Sequence, residues 1–115
     1  MIIDSRVIRA SIGDDLQFLR EAAADFVPAA HADIAIISRA VSEHDAEGVR
    51  TESHKLRGSA AIFGAHDLRR ICLELESAAE KSHWESIRAL VTRLVTSMEE
   101  VEVALEEFLK RVSSQ

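Results

Sequence analysis

His54 lies in a segment whose residue types and spacing suit phosphoryl chemistry. A neutral imidazole is a nucleophile near neutral pH. If the segment is helical, with Val49, Leu56 and Ala60 towards the core, His54 lies about 140° from that face, towards solvent. Gly58 follows one turn later on the same side. Because glycine in an exposed helix interior costs roughly 0.5–1 kcal/mol relative to alanine, we infer that it leaves the imidazole uncovered for a partner to approach.

Three cations, Arg50, Lys55 and Arg57, lie close to His54 along the chain. Cationic side chains stabilise a dianionic phosphoryl group, so the pattern predicts a small, flat, positively charged patch around the imidazole. Each cation taken alone is also an ordinary solvated charge, Arg50 most of all. No Ser/His/Asp set is evident in the sequence, so we expect the histidine to act without a neighbouring catalytic group.

The overall composition excludes several classes of function. The formal net charge of −6 disfavours nucleic acids and anionic membranes as partners, because binding either needs a basic surface. The sequence shows no apolar run of membrane-spanning length and no signal-peptide pattern, so we expect a cytoplasmic domain. Cys72 is expected to be a buried, unreactive thiol. The other histidines are dispersed, so no metal site is predicted among His31, His44, His66 and His83.

The elements that must position His54 are helices. Glycine and proline are scarce, at four and one residues, and apolar residues recur at steps of three and four. Residues 1–10 are expected to contain a short helical turn that covers one end of the molecule. A long helix should follow, with Asp14 or Asp15 as its N-cap. Pro28 should kink or briefly break that helix, or start a second one at its first turn.

Three further amphipathic helices are predicted downstream, with residues 112–115 as a frayed tail. The chain, residues 1–115, is therefore expected to form one all-α domain, an antiparallel up-down four-helix bundle with a short N-terminal helical segment. The expected helices run from about Ala46 to Phe63 with Asp45 as N-cap and Gly64 as stop, from His66 or Asp67 to about Lys81, and onwards from Ser82 as N-cap.

The run from Ser53 to Ala65, SHKLRGSAAIFGA, resembles the motif of the histidine phosphotransfer (HPt) domain family. In outline that motif is His-x-Leu-Lys-Gly-Ser-(small)-x-x-x-Gly-Ala. The resemblance extends upstream and downstream and covers roughly Asp4 to Leu109. The residues that match outside the central run are Gly13, Asp14, Asp15, Phe18, Leu19, Glu21, Leu68, Cys72, Leu75 and Glu76.

The resemblance implies that His54 is the phospho-accepting residue, a phosphohistidine carrier in two-component signal transduction. Arg57 stands where the family usually has lysine, and it would face the phosphoryl group together with Lys55. Arginine preserves the charge but not the shape, because a guanidinium is a planar fork. The expected docking surface for partners consists of Arg50, Gly58, Ala61, Ile62 and Ala65.

The partners implied by the resemblance are receiver domains of response regulators, with a histidine kinase at the head of a phosphorelay. In the family the receiver contributes an acidic, Mg²⁺-binding pocket. We therefore expect this chain to need no cofactor and to act as a phosphoryl carrier, not as an enzyme with kinase activity of its own. One bundle satisfies the apolar stripes, so a monomer is expected.

Two alternatives follow from the same sequence. The chain could be the phospho-accepting module of a hybrid or chemotaxis-type histidine kinase, in which case an ATP-binding domain would be the donor. It could also be a helical adaptor that binds partners without phosphoryl chemistry, although an outward histidine beside a helical glycine argues against that hypothesis.

Overall fold

The computed structural model describes residues 1–114, and over that range it is all-helical, without a strand. The predicted fold class is confirmed. None of the helices formed by these residues has the length and apolarity needed to cross a membrane. The five helices are α1 (Ser5–Ser11), α2 (Leu16–Ser42), α3 (Ala46–Ile62), α4 (His66–Glu80) and α5 (Trp84–Ser113).

Aspartate side chains cap the N-termini of α1, α2 and α3. Asp15 and Asp45 each accept a backbone N–H of the following turn, at 3.1 and 2.9 Å, and so cap α2 and α3 as predicted. The prediction that Ser82 caps α5 is wrong. Ser82 has φ +52° and belongs to the turn, while His83 is the N-cap residue.

Helix α2 runs without interruption through Pro28. The predicted break, and the alternative of a second helix starting there, are therefore wrong. Proline removes one N–H and crowds the preceding turn, but Phe26 and Ala30 on either side are both buried. Burial of both halves of α2 against the same core outweighs the local cost.

The four long helices form a ring in which each helix packs against two others. Helix α3 packs between α2 and α4, and α5 closes the ring on the opposite side. The turns at residues 43–45, 63–65 and 81–83 are short, so successive helices are antiparallel, as in an up-down bundle. The outer face of α3 is consequently flanked by α2 and α4. The largest fully buried side chains include Ile37, Val49, Leu56, Leu68, Leu75, Ile87, Leu94 and Met98.

Helix α1 covers one end of the ring, as predicted for residues 1–10. Ile8 is 1% exposed and belongs to the core. Asp4 caps α1 and lies directly against Gly64, which has φ +61° in the turn between α3 and α4. Glycine is required there by both its left-handed backbone and the close approach of Asp4. Gly64 therefore ends α3, as predicted, and also leaves the space in which the N-terminus of α1 packs against this turn.

The C-terminal helix is longer than the sequence suggested. Helix α5 continues to Ser113, and Val112 is half-buried against the core. The predicted fraying of residues 112–115 is wrong as far as Ser113. Gln115, part of the same prediction, lies outside the described residues.

Candidate functional site

His54 projects from the middle of α3 into solvent. Its side chain is 62% exposed, whereas Ser53 and Leu56 on the inner face of the same helix are fully buried. The projection made from sequence is confirmed. The imidazole is accessible to another protein along the outer face of α3.

Gly58 lies on the same face, one helical turn beyond His54. Apart from the adjoining residues and backbone of α3 itself, a Cβ placed on Gly58 would meet no heavy atom of residues 1–114 within 4 Å. Close packing inside the described chain therefore does not explain this glycine. Its effect is to keep the surface beside the imidazole low and open.

Glu76 on α4 contacts the imidazole from the side. Its Oε1 lies 2.9 Å from Nδ1 of His54, and its side chain is only 13% exposed. Arg57 joins the same cluster: its Nε donates to Glu76 Oε2 at 2.6 Å, and its Nη2 lies 2.8 Å from His54 Nδ1. The three side chains form one hydrogen-bonded cluster that links α3 to α4.

The protonation of Nδ1 decides which nitrogen of His54 is nucleophilic. With a hydrogen on Nδ1, the ring donates to Glu76 and leaves the lone pair on Nε2, on the exposed side of the ring. Without it, Nδ1 accepts from Arg57 and the hydrogen is on Nε2. Only the first arrangement presents a nucleophile to an approaching phosphoryl group.

Glu76 is not among the site residues predicted from the sequence, and no catalytic partner was predicted for the histidine. Two signals could have found it. It stands where the HPt pattern places a glutamate, and it follows Cys72 by four residues, which places it one turn along the inward face of α4.

The other two cations of the segment are also paired. Arg50 Nη2 lies 2.6 Å from Glu47, and this contact raises the pKa of the guanidinium and lowers that of the carboxyl. Lys55 Nζ lies 3.4 Å from Asp33 on α2. Each cation around His54 thus has a carboxylate beside it. The predicted excess of positive charge around His54 is wrong. Two of these carboxylates, Asp33 on α2 and Glu76 on α4, come from neighbouring helices and offset the charges of Lys55 and Arg57.

The predicted docking residues are only partly on one surface. Gly58, Ala61 and Ile62 are exposed along α3, with Ile62 at 44%. The prediction for Ala65 is wrong, because it is fully buried in the turn that precedes α4. Arg50 lies a turn before His54 on α3 and is half-buried.

An apolar groove of about 410 Å³ continues this surface between α2 and α3. Phe18, which is 54% exposed, lines it from α2, and Ile62 lines it from α3. Phe18 is not among the docking residues predicted from the sequence, since on its own helix it simply lies outside the apolar stripe. The groove forms only when α2 and α3 come together.

Cys72 lies inside the bundle and is not part of this surface. It is fully buried, and burial, reinforced by the negative charge of Glu76, raises the pKa of its thiol to about 12. The prediction of an unreactive thiol is supported. Within residues 1–114 no group of three or more His, Cys, Asp or Glu side chains is placed to hold a metal ion.

A four-helix bundle with an exposed histidine on one outer face, and a carboxylate behind that histidine, has a geometry suited to a phosphoryl carrier. The family model of the Hpt domain matches residues 18–114, so the chain belongs to the Hpt domain family. Its function is accordingly histidine phosphotransfer in a phosphorelay, as the sequence analysis expected.

Two other comparisons bear on this assignment. The crystal structure of histidine-containing phosphotransfer protein B from Pseudomonas aeruginosa PAO1 is similar, with a TM-score of 0.85 over 96% of both chains and 21% identity. At that identity the likeness shows a shared fold. No curated protein matches the sequence.

Proposed function

We propose that His54 is the residue that carries the phosphoryl group. Nε2 attacks the phosphorus of the aspartyl phosphate on a receiver domain. The bond from phosphorus to the aspartate oxygen breaks, a phosphorus–nitrogen bond forms, and the aspartate leaves as a carboxylate. Transfer to a second receiver is the same step in reverse.

The observation that carries this proposal is the contact of 2.9 Å between His54 Nδ1 and Glu76 Oε1. A hydrogen on Nδ1, donated to Glu76, keeps the lone pair on Nε2 before transfer. After transfer the ring bears a positive charge, and the same carboxylate stabilises it by a charge-assisted hydrogen bond. Glu76 thus favours the reactive tautomer and the phosphorylated ring.

Arg57 is proposed to act on the charge of the phosphoryl group, and Lys55, which the resemblance placed beside that group, on the charge of the docking partner. Arg57 is the nearer cation, since its Nη2 is 2.8 Å from the imidazole. Its planar fork can hold Glu76 through Nε and still offer N–H groups towards a phosphoryl oxygen. Lys55 forms an ion pair with Asp33 and lies on the α2 side of the imidazole.

The docking surface for receivers is proposed to follow α3 and the groove beside it. Gly58 and Ala61 give a low surface next to the imidazole, and Ile62 with Phe18 presents apolar area. Buried apolar contacts would supply affinity, and Arg50 would add a polar contact at the edge.

The partner is proposed to supply everything else that the reaction needs. The activated aspartyl phosphate and Mg²⁺ would belong to the receiver, and the first phosphoryl group would come from a histidine kinase. This chain would then have no kinase activity of its own and would act as a cytoplasmic, monomeric carrier.

The test is phosphoryl transfer from a phosphorylated receiver domain to the purified chain. The parent chain should become labelled, and His54→Gln should not. His31→Gln is a matched control, because His31 is also exposed and its Nε2 lies 3.1 Å from the carboxylate of Glu102. Equal labelling of His54→Gln and the parent chain would disprove the assignment, and binding without any labelling would favour an adaptor.

A further inference from the structure

Asp33 is a buried carboxylate in the middle of α2. Its side chain is 7% exposed, and it lies among the residues that α2 buries in the bundle. A buried charge is unfavourable unless an opposite charge or hydrogen-bond donors compensate it. Among the described residues, the cation that compensates Asp33 is Lys55, whose Nζ lies 3.4 Å from Oδ1.

Lys55 combines this buried partner with an exposed position. Its side chain is 66% exposed, and it follows His54 directly, about 100° further around α3. The imidazole is therefore flanked by two ion pairs between helices. Arg57 with Glu76 links α3 to α4, and Lys55 with Asp33 links α3 to α2.

The two pairs differ in what they can touch. Arg57 contacts both Glu76 and the imidazole, so it is part of the cluster around the histidine that is proposed to react. Lys55 is held to the α2 side of the helix, next to the face that carries the apolar groove. A lysine ammonium on a flexible stem loses rotamer freedom when it binds a partner, and an ion pair that already restrains it reduces that cost.

We propose that Asp33 is a positioning residue that holds the Lys55 ammonium at the α2 edge of the site, where it contacts the acidic face of a docking receiver. The inference rests on the proposed function of His54. Lys55 then acts on docking and not on the phosphoryl group. Asp33 acts on docking only through Lys55.

The experiment compares the parent chain, Asp33→Asn, Lys55→Gln and the double variant. Each is measured for binding of a receiver activated with beryllofluoride, for the KM and kcat of transfer from that receiver, and for the thermal unfolding midpoint. Lys55→Gln and Asp33→Asn should each raise Kd and KM about three- to tenfold, with kcat within twofold of the parent value. The double variant should be no weaker than Lys55→Gln.

Stability gives an independent measure of the pair itself. Lys55→Gln alone leaves Asp33 buried without its cation, so its midpoint should fall by several degrees, and adding Asp33→Asn should restore most of that loss. Lys55→Arg keeps the charge and should recover most of the binding. The exposed pair Glu74 and Arg93, which links α4 to α5 at the same distance of 3.4 Å, is the control, and Glu74→Gln should leave KM within twofold.

Three results would overturn the inference. One is a parent-like Kd and KM in folded Asp33→Asn. Another is an additive loss of binding in the double variant. The third is a fall in kcat, or a shorter phosphohistidine lifetime, in Lys55→Gln, because that would place Lys55 on the phosphoryl group. Failure of the proposed function itself looks different, since the parent chain would then not be labelled at His54.

Discussion

Nδ1 of His54 on α3 lies 2.9 Å from Oε1 of Glu76 on α4, and the glutamate is the more buried of the two side chains. The exposed imidazole is therefore oriented by a group that solvent reaches poorly. A carboxylate in that position can accept the hydrogen of Nδ1 and so orient the ring, as second partners of functional histidines commonly do. The reactivity proposed for His54 on α3 thus depends on how α4 packs against that helix.

Replacing Glu76 with glutamine should slow phosphoryl transfer about tenfold or more, while the bundle stays folded. The amide preserves shape and can still accept from Nδ1, but it offers no negative charge to the phosphorylated ring and leaves Arg57 without its ion partner. Single-turnover transfer and phosphohistidine lifetime are the measurements. Glu74→Gln, two residues earlier on the exposed side of α4, is the control, and equal rates for both variants would contradict this role of Glu76.

Substitutions at Gly58 should affect the stability of the chain and its phosphoryl transfer in different ways. Gly58→Ala should stabilise the chain by about 0.5–1 kcal/mol, because the position is helical, exposed and spacious. Gly58→Leu should also fold, yet its side chain would stand on the docking surface, so transfer should fall at least tenfold with a rise in KM. Ala89→Leu on the exposed side of α5 is the control. Parent-like transfer by Gly58→Leu would show that receivers do not approach this face.

The fold and one face of the site follow from sequence because both depend on local periodicity. The steps of three and four residues predict the helices, and the same projection correctly points His54 outwards. What the sequence does not reveal is what comes from other helices. Glu76 and Asp33 lie 22 residues from His54 and from Lys55, and their proximity depends on how α2, α3 and α4 pack around the core.

The errors have the same physical origin. Ala65 follows α3 in sequence and was assigned to its outer surface, but the chain reverses at Gly64 and carries Ala65 into the core. Asp33, for which no prediction was made, interrupts an apolar stripe, and its pairing with Lys55 compensates its burial. Local patterns do not contain the partner that decides such cases.

The carboxyl group of Asp4 should make stability depend on pH in the acidic range. Hydrogen bonds from Arg6, above all, hold its pKa at about 2 in the folded chain, against about 3.9 in an unfolded chain. A lowered pKa means that the contribution is complete above about pH 5 and is lost as the pH falls from about 4 towards 2.

The comparison that isolates this effect is Asp4→Asn, which can still cap α1. The unfolding midpoints of parent and variant should differ by a constant amount above about pH 5 and converge below about pH 4. In Arg6→Gln the folded-state pKa of Asp4 should rise, so the pH-dependent part of the midpoint difference from the corresponding double variant should be smaller, and its loss should be complete at a higher pH. A midpoint difference that does not change between pH 6 and 2 would refute the linkage.

The contact between Gly64 and Asp4 should control whether α1 stays on the bundle. In Gly64→Ala the new Cβ would lie 2.6 Å from the Cβ of Asp4, on a backbone with φ +61°. Both effects oppose the substitution, so it should destabilise the chain by more than about 1 kcal/mol and lower the midpoint by at least about 4 °C. Hydrogen exchange should show α1 losing protection first, since the clash lies under its N-cap.

Gly13→Ala is the comparison for this prediction. Gly13 also has a positive φ, but the described residues leave its Cβ position open within 4 Å. It should therefore show the backbone cost alone. Equal losses in the two variants would mean that the approach of Asp4 contributes nothing and that the turn conformation alone requires glycine.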